Sequence, residues 1–247
     1  MNLLKSLIIT IPLLLIISCN SNSNKSKIAK VDIVFQADTT KFTEPQKQLI
    51  GEVIINSEKE IRNLIPKLPD SIKVIVEIVD WNLDFVGGVT GRTETNSPPL
   101  VAIQISDKFP GGITNAVNTA LKHVVFHEFH HLSRGWAIKD NKFEYGISIA
   151  MVNEGLAVVF SEEYTDLAFE AENPPQEDVA NSWVNEIIAL PKDADYQKWM
   201  FQHPDGRTSI GYRTGNFLVR QAMINSGKNI IELSSLMPNE IIKLAGY

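Results

Sequence analysis

Two histidines stand four residues apart around a glutamate in the run His127-Glu128-Phe129-His130-His131. On an α-helix four residues advance about 400° and roughly 6 Å, so His127 and His131 project from one face a turn apart and can grip one small cation. Glu128 lies next to that face, where a carboxylate can take a proton from a metal-bound water whose pKa zinc brings down to about 7. H-E-x-x-H inside an apolar helical stretch is the pattern of a two-histidine zinc clamp with its own base, and the chemistry to expect is metal-assisted hydrolysis. The surrounding residues 116–132 carry Ala120, Leu121, Val124, Val125, Phe126, Phe129 and Leu132, a broad apolar face on which His and Glu are costly to bury without a partner.

A catalytic zinc takes three protein ligands and leaves a fourth position to water, so a third donor is needed. Metzincins supply a Gly three residues after the second His and a third His three further on; here those positions are Arg134 and Ala137, which excludes that class. The run Asn153-Glu154-Gly155-Leu156-Ala157 offers Glu154, 23 residues after His131, on a strongly apolar helix with Val152, Leu156, Val158, Val159 and Phe160. A carboxylate buried there without a partner would be expensive, and Gly155 beside it lets a second backbone come close, so Glu154 is the expected third ligand. Glu162 and Glu163 read as a solvated face. His123 continues the stripe four residues before His127 and is read as a partly exposed histidine, with an alternative ligand or a partner of one as the other options. His130, about 100° around the helix from His131, is expected to make a structural hydrogen bond instead of sharing the metal. For the donor that a developing oxyanion needs, Tyr212 between Gly211 and Arg213 is the first choice, with His203 and Arg207 as runners-up. Trp183 and Trp199 have the spacing of core residues.

The elements that must position these groups follow from periodicity. Residues 31–37 read as a strand, 44–64 as an amphipathic helix, 72–79 as a second strand, 80–97 as a loop region holding Gly87, Gly88 and Gly91, and 100–106 as a third strand leading into the H-E-x-x-H helix. Beyond Gly135 the chain reads as mostly helical, with helices over 147–163, 177–190, 211–225 and 238–244. The expected fold is α+β: a small mixed β-sheet packed on the H-E-x-x-H helix, in a lobe of residues 29–135, followed by a helical lobe of residues 136–247.

With 247 residues, 44% hydrophobic and 21% charged, the chain can bury a full core. Its start differs from the rest. Lys5 is followed by an apolar run over 7–17, broken only by Thr10 and Pro12 and ending at Ser18-Cys19, which reads as a signal peptide over residues 1–18 that is too short to span a bilayer. Ile16-Ile17-Ser18-Cys19 resembles a bacterial lipobox, in which cleavage precedes a Cys that carries an acyl lipid such as palmitate. Cys19 is the sole cysteine, so no internal disulfide can form, and acylation explains a lone thiol in an exported chain. Residues 19–28 would then be the lipidated Cys and a polar tether, holding the protein at a membrane of the cell envelope. Cleavage removes Lys5 and no acid, taking the formal charge from −6 to −7, and an acidic body without a basic stripe argues against nucleic acid.

H-E-F-H-H followed by N-E-G-L-A resembles the gluzincin group and, within it, the predicted zinc-dependent proteases of bacterial lipoproteins; Gly211-Tyr212-Arg213-Thr214-Gly215 resembles a G-Y-x-x-G element of those sequences. The resemblance covers the folded domain, residues 29–247. It implies a zincin-like peptidase fold whose edge strand can hold an extended peptide, zinc on His127, His131 and Glu154, Glu128 as general base, and a peptide or protein substrate. The competing expectation is a noncatalytic envelope lipoprotein that binds peptide or a protein partner on the same scaffold.

Overall fold

The structure is a computed structural model describing residues 30–36 and 41–247; the expected signal peptide, Cys19, the tether and the end of the first expected strand lie outside the described residues. The chain runs β1 (Lys30–Phe35), α1 (Glu44–Leu64), β2 (Ser71–Val79), a short 3-10 turn (Asp84–Val86), β3 (Val89–Asn96) and β4 (Pro99–Ser106). It continues through α2 (Gly112–Ala116), a π-helical turn (Val117–Leu121), α3 (Lys122–Arg134), α4 (Ile147–Thr165), α5 (Glu177–Ile188), α6 (Tyr196–Met200), α7 (Ile210–Ser226), α8 (Ile230–Leu233) and α9 (Pro238–Ala245). The class is mixed α+β. No helix among the described residues is long and apolar enough to cross a membrane.

Helix α1 begins where the sequence places it because Thr43 caps it: the hydroxyl accepts from the Gln46 amide, the Gln46 side chain answers to the Thr43 amide, and proline fills the first turn. The sheet order is β1-β2-β4-β3, with β1, β2 and β4 mutually parallel and β3 antiparallel to β4. Its helical cover includes α3, which packs on β3, β4 and α1.

Strand β3 corrects the expectation of a loop over 80–97. Its sequence, Val-Thr-Gly-Arg-Thr-Glu-Thr-Asn, has almost no apolar residue to signal a strand, yet Val89, Thr90, Thr93 and Thr95 are β-branched and favour extended backbone. Being at the end of the sheet, β3 can be polar. Part of its outer edge is covered: Thr93 O accepts from the Ile138 amide and Glu94 O from the Lys139 amide, each at 3.0 Å.

Helix α4 lies at the centre of the helical part and is buried on every side from Ala150 to Ser161. Its closest neighbour is α7, and the two meet at Gly155 and Gly215: a Cβ on Gly155 would stand 2.2 Å from the Gly215 carbonyl carbon, and one on Gly215 would stand 2.1 Å from the Met151 oxygen. Backbone cannot step aside as a side chain can. Gly155→Ala should therefore force the helices apart, at about 1–3 kcal/mol or more, which for a chain of this size lowers Tm by roughly 2–4 °C per kcal/mol. Thermal unfolding followed by circular dichroism checks this, and an unchanged Tm would mean the helices have room to spare.

Candidate metal centre

All residues from His123 to Leu132 are buried, so the H-E-x-x-H helix α3 is enclosed in protein rather than laid on its surface. The helix stops at Gly135, whose left-handed backbone (φ 82°) sends its amide back to the carbonyls of His131 and Leu132. From the other side α4 brings Glu154 in. Its Oε2 lies 3.1 Å from His127 Nε2 and 3.0 Å from His131 Nε2, and the two imidazole nitrogens are 3.0 Å apart. Two Nε2 atoms and a carboxylate oxygen thus converge on one point, and of the described residues these three form the cluster able to hold a metal ion.

The donor set fits zinc. Two imidazoles and a carboxylate are its usual catalytic ligands, and tetrahedral ligation at about 2.0–2.2 Å asks for donors roughly 3.3–3.5 Å apart, a few tenths of an ångström beyond these. Burial by itself would lower the pKa of His127, but Glu154 first, then Glu128, overcome it and hold the imidazole up at about 9. Glu154 is held far below the usual carboxylate range: burial opposes this, and the two histidines outweigh it. The cluster demands positive charge at its centre.

The other oxygen of Glu154 is also claimed. Trp136 folds back past the end of α3 and its indole Nε1 donates to Glu154 Oε1 at 2.8 Å, leaving Oε2 to face the histidines. Partners of this kind fix a ligand's orientation, so Trp136→Phe should weaken zinc affinity about 10–100-fold, read by competition with a chromogenic chelator. Unchanged affinity would reduce Trp136 to packing. Nothing in the sequence pattern marks this residue, which precedes a polar connector over residues 139–143.

Glu128 sits beside this cluster with its carboxylate toward β3, where Thr93 Oγ1 lies 3.0 Å from both Glu128 Oε2 and the Glu128 carbonyl oxygen. Burial raises its pKa, with the two histidines and Thr93 pulling the other way, which suits a group that must accept a proton and return it. The strand comes this close because of Gly91, where a Cβ would lie 2.6 Å from Glu128 Cγ.

Two cavities open on this centre. One, of about 520 Å³, borders His127, His131, Glu154, Trp136 and Tyr145; the other, of about 150 Å³, is walled by Phe85, Val124 and Phe169. Gly91, His127, Glu128 and Tyr212 line both. Tyr212, on the first turn of α7, has its ring 6.4 Å from that of His127, and burial, then the Glu154 carboxylate, keeps its phenol well above the usual range and hence protonated. Tyr196, at the start of the unexpected helix α6, also lines the larger cavity.

The remaining candidates are placed elsewhere. His123 is not partly exposed but buried, because the segment after α4 folds over it: Phe169 packs edge-on against its ring, and its Nε2 lies 3.1 Å from Glu172 Oε2 and from Ser161 Oγ. His130 makes the expected structural hydrogen bond, with Ser234 Oγ at 2.8 Å. Arg207 and His203 line neither cavity: Glu186 and Asp205 hold Arg207 over the rings of Trp183 and Trp199, and His203 is paired with Asp205. Those tryptophans are buried, as their spacing suggests. Glu162 corrects the solvated-face reading, its carboxylate being buried against Arg220 and Asn216, while Glu163 is exposed.

The family model described as "Predicted Zn-dependent protease (DUF2268)" matches residues 113–243, more than half of the chain. The chain belongs to this family. The DUF2268 match runs from α2 into α9 and takes in His127, Glu128, His131, Glu154 and Tyr212, but not the sheet that carries Gly91 and Thr93. No curated protein and no solved structure matches the chain.

Proposed function

We propose that this chain is a zinc-dependent peptidase of zincin-like architecture, with His127, His131 and Glu154 as metal ligands and Glu128 as general base. The convergence of three donor atoms within 4.8 Å, with a Thr93-oriented carboxylate beside them at the junction of two cavities, carries the reading. Zinc, when bound, supplies a Lewis acid that polarises a carbonyl and lowers the pKa of coordinated water to about 7. Glu128 takes the proton at its carboxylate and hands it to the leaving amine, a double role that a raised pKa favours. Tyr212, kept protonated, offers its hydroxyl to the oxyanion that forms at the attacked carbonyl. Trp136 and Thr93 hold the two carboxylates at their stations.

The proposal extends to the whole chain: a signal peptide over residues 1–18, lipid on Cys19, a tether to residue 28, and a peptidase domain over 29–247 with an α/β lobe and a helical lobe, held at a membrane of the cell envelope. The lipobox-like Ile16-Ile17-Ser18-Cys19 supports it. Elemental analysis of the full-length protein should give one zinc per chain, and peptide hydrolysis should vanish with a chelator and return with added zinc. Protein that retains no zinc after being offered it would sink the reading in favour of a noncatalytic binding lipoprotein.

A further inference from the structure

The two cavities lie on either side of the groups assigned to chemistry, sharing Gly91, His127 and Glu128, so a bound chain can leave the centre in both directions. An enzyme that trims ends needs a charge to hold the terminal amine or carboxylate. Of the charged groups lining these cavities, Arg92 pairs with Glu94 at 2.6 Å, Glu128 and Glu154 belong to the centre itself, and Glu172, buried 3.1 Å from His123, is the one described acid outside the centre that lines the smaller cavity. The exposed surface tells the same story. Five of the twelve exposed large hydrophobic residues described, namely Phe85, Ile138, Tyr145, Tyr196 and Phe201, line the two cavities, a concentration at one cleft that marks a binding surface for apolar groups.

The smaller cavity adds selectivity. At about 150 Å³, with walls of Phe85, Val86, Val89, Val124 and Phe169, it has the size and lining that can take a benzene ring. Its polar end is His123 with Glu172, 3.1 Å apart, where Glu172 Oε2 makes no hydrogen bond among the described residues. The backbone is provided for as well: alternation along β3 puts the Gly91 amide and carbonyl on the same edge as the Thr93 carbonyl, which Ile138 occupies, so Gly91 is the point at which a peptide backbone can pair beside Glu128.

Building on the peptidase reading, we propose that the cleft is endo-acting and takes extended, apolar polypeptide segments, with the smaller cavity holding a Phe- or Leu-sized side chain next to the scissile bond. Decapeptides acetylated at the N-terminus and amidated at the C-terminus, varied at their centre among Leu, Phe, Gly, Asp and Lys, test it. Zinc-loaded protein should cut them internally, with Leu or Phe beside the cut favoured over Asp or Lys at least about tenfold. Phe85→Ala, which truncates an exposed wall residue, should compress that preference while zinc content stays at the parent's value. Cleavage confined to unblocked peptides, one or two residues from an end, would overturn the proposal, as would a preference for charged side chains.

Fluorescence anisotropy of the labelled peptides on zinc-loaded Glu128→Gln separates the two readings. Blocked apolar peptides that bind this variant but are not cut by the parent would uphold the cleft assignment and remove the hydrolase. Neither binding nor cleavage would remove both.

Discussion

Glu128→Gln is expected to keep its zinc and lose hydrolysis by about 10²–10⁴-fold, the usual worth of a positioned general base. The substitution is nearly isosteric, and the amide oxygen can still accept from Thr93 Oγ1, so neither the helix nor the contact to β3 is disturbed. What it removes is the carboxylate's affinity for a proton, which burial raises. Elemental analysis and kcat/KM on an internally quenched peptide are the paired measurements. A variant that holds zinc and cuts as fast as the parent would remove Glu128 from the mechanism.

Loss of either His131 or Glu154 should abolish stoichiometric zinc. Truncation to Ala leaves two donors where a catalytic site needs three, and the remaining buried groups have lost the partner that balanced them. In Glu154→Ala the carboxylate that holds His127 up at about 9 is also gone, which eases proton competition at that imidazole but leaves only two donors. That value also sets the pH dependence in the parent. Zinc takes neutral imidazole, so below about 9 metal displaces a proton, and apparent affinity should fall about tenfold per pH unit for each proton released. Zinc titrations at several pH values against a competing chelator measure this; an affinity that is flat from pH 9 downward, or a full zinc in either Ala variant, would place the metal elsewhere.

The placement of groups that share one helix was readable from the chain, whereas placement that depends on tertiary contact was not. His127, Glu128 and His131 need only helical spacing, and Glu154 stood out as an acid in an apolar run. Helix α1 was legible to the residue because Thr43 and Gln46 state its start locally. Strand β3 was hidden because what holds it is β4 beside it, not its own hydrophobicity. His123 looked half exposed because the segment that covers it, with Phe169 and Glu172, arrives more than forty residues later. Trp136, Thr93 and Tyr196 carry no motif; each matters only through the atom it meets across the fold.

The two hydrogen bonds from Ile138 and Lys139 to Thr93 and Glu94 have a bearing on solubility. A bare edge strand invites a second copy to zip onto it. The connector closes the polar half of the edge and leaves Gly91 open, recessed beside α3 where its Cβ position is already occupied by Glu128. A single flexible peptide can reach such a gap, while the rigid rim of another folded sheet cannot. On the cleft assignment, the same edge would offer strand pairing to a bound peptide where it withholds it from a second folded copy.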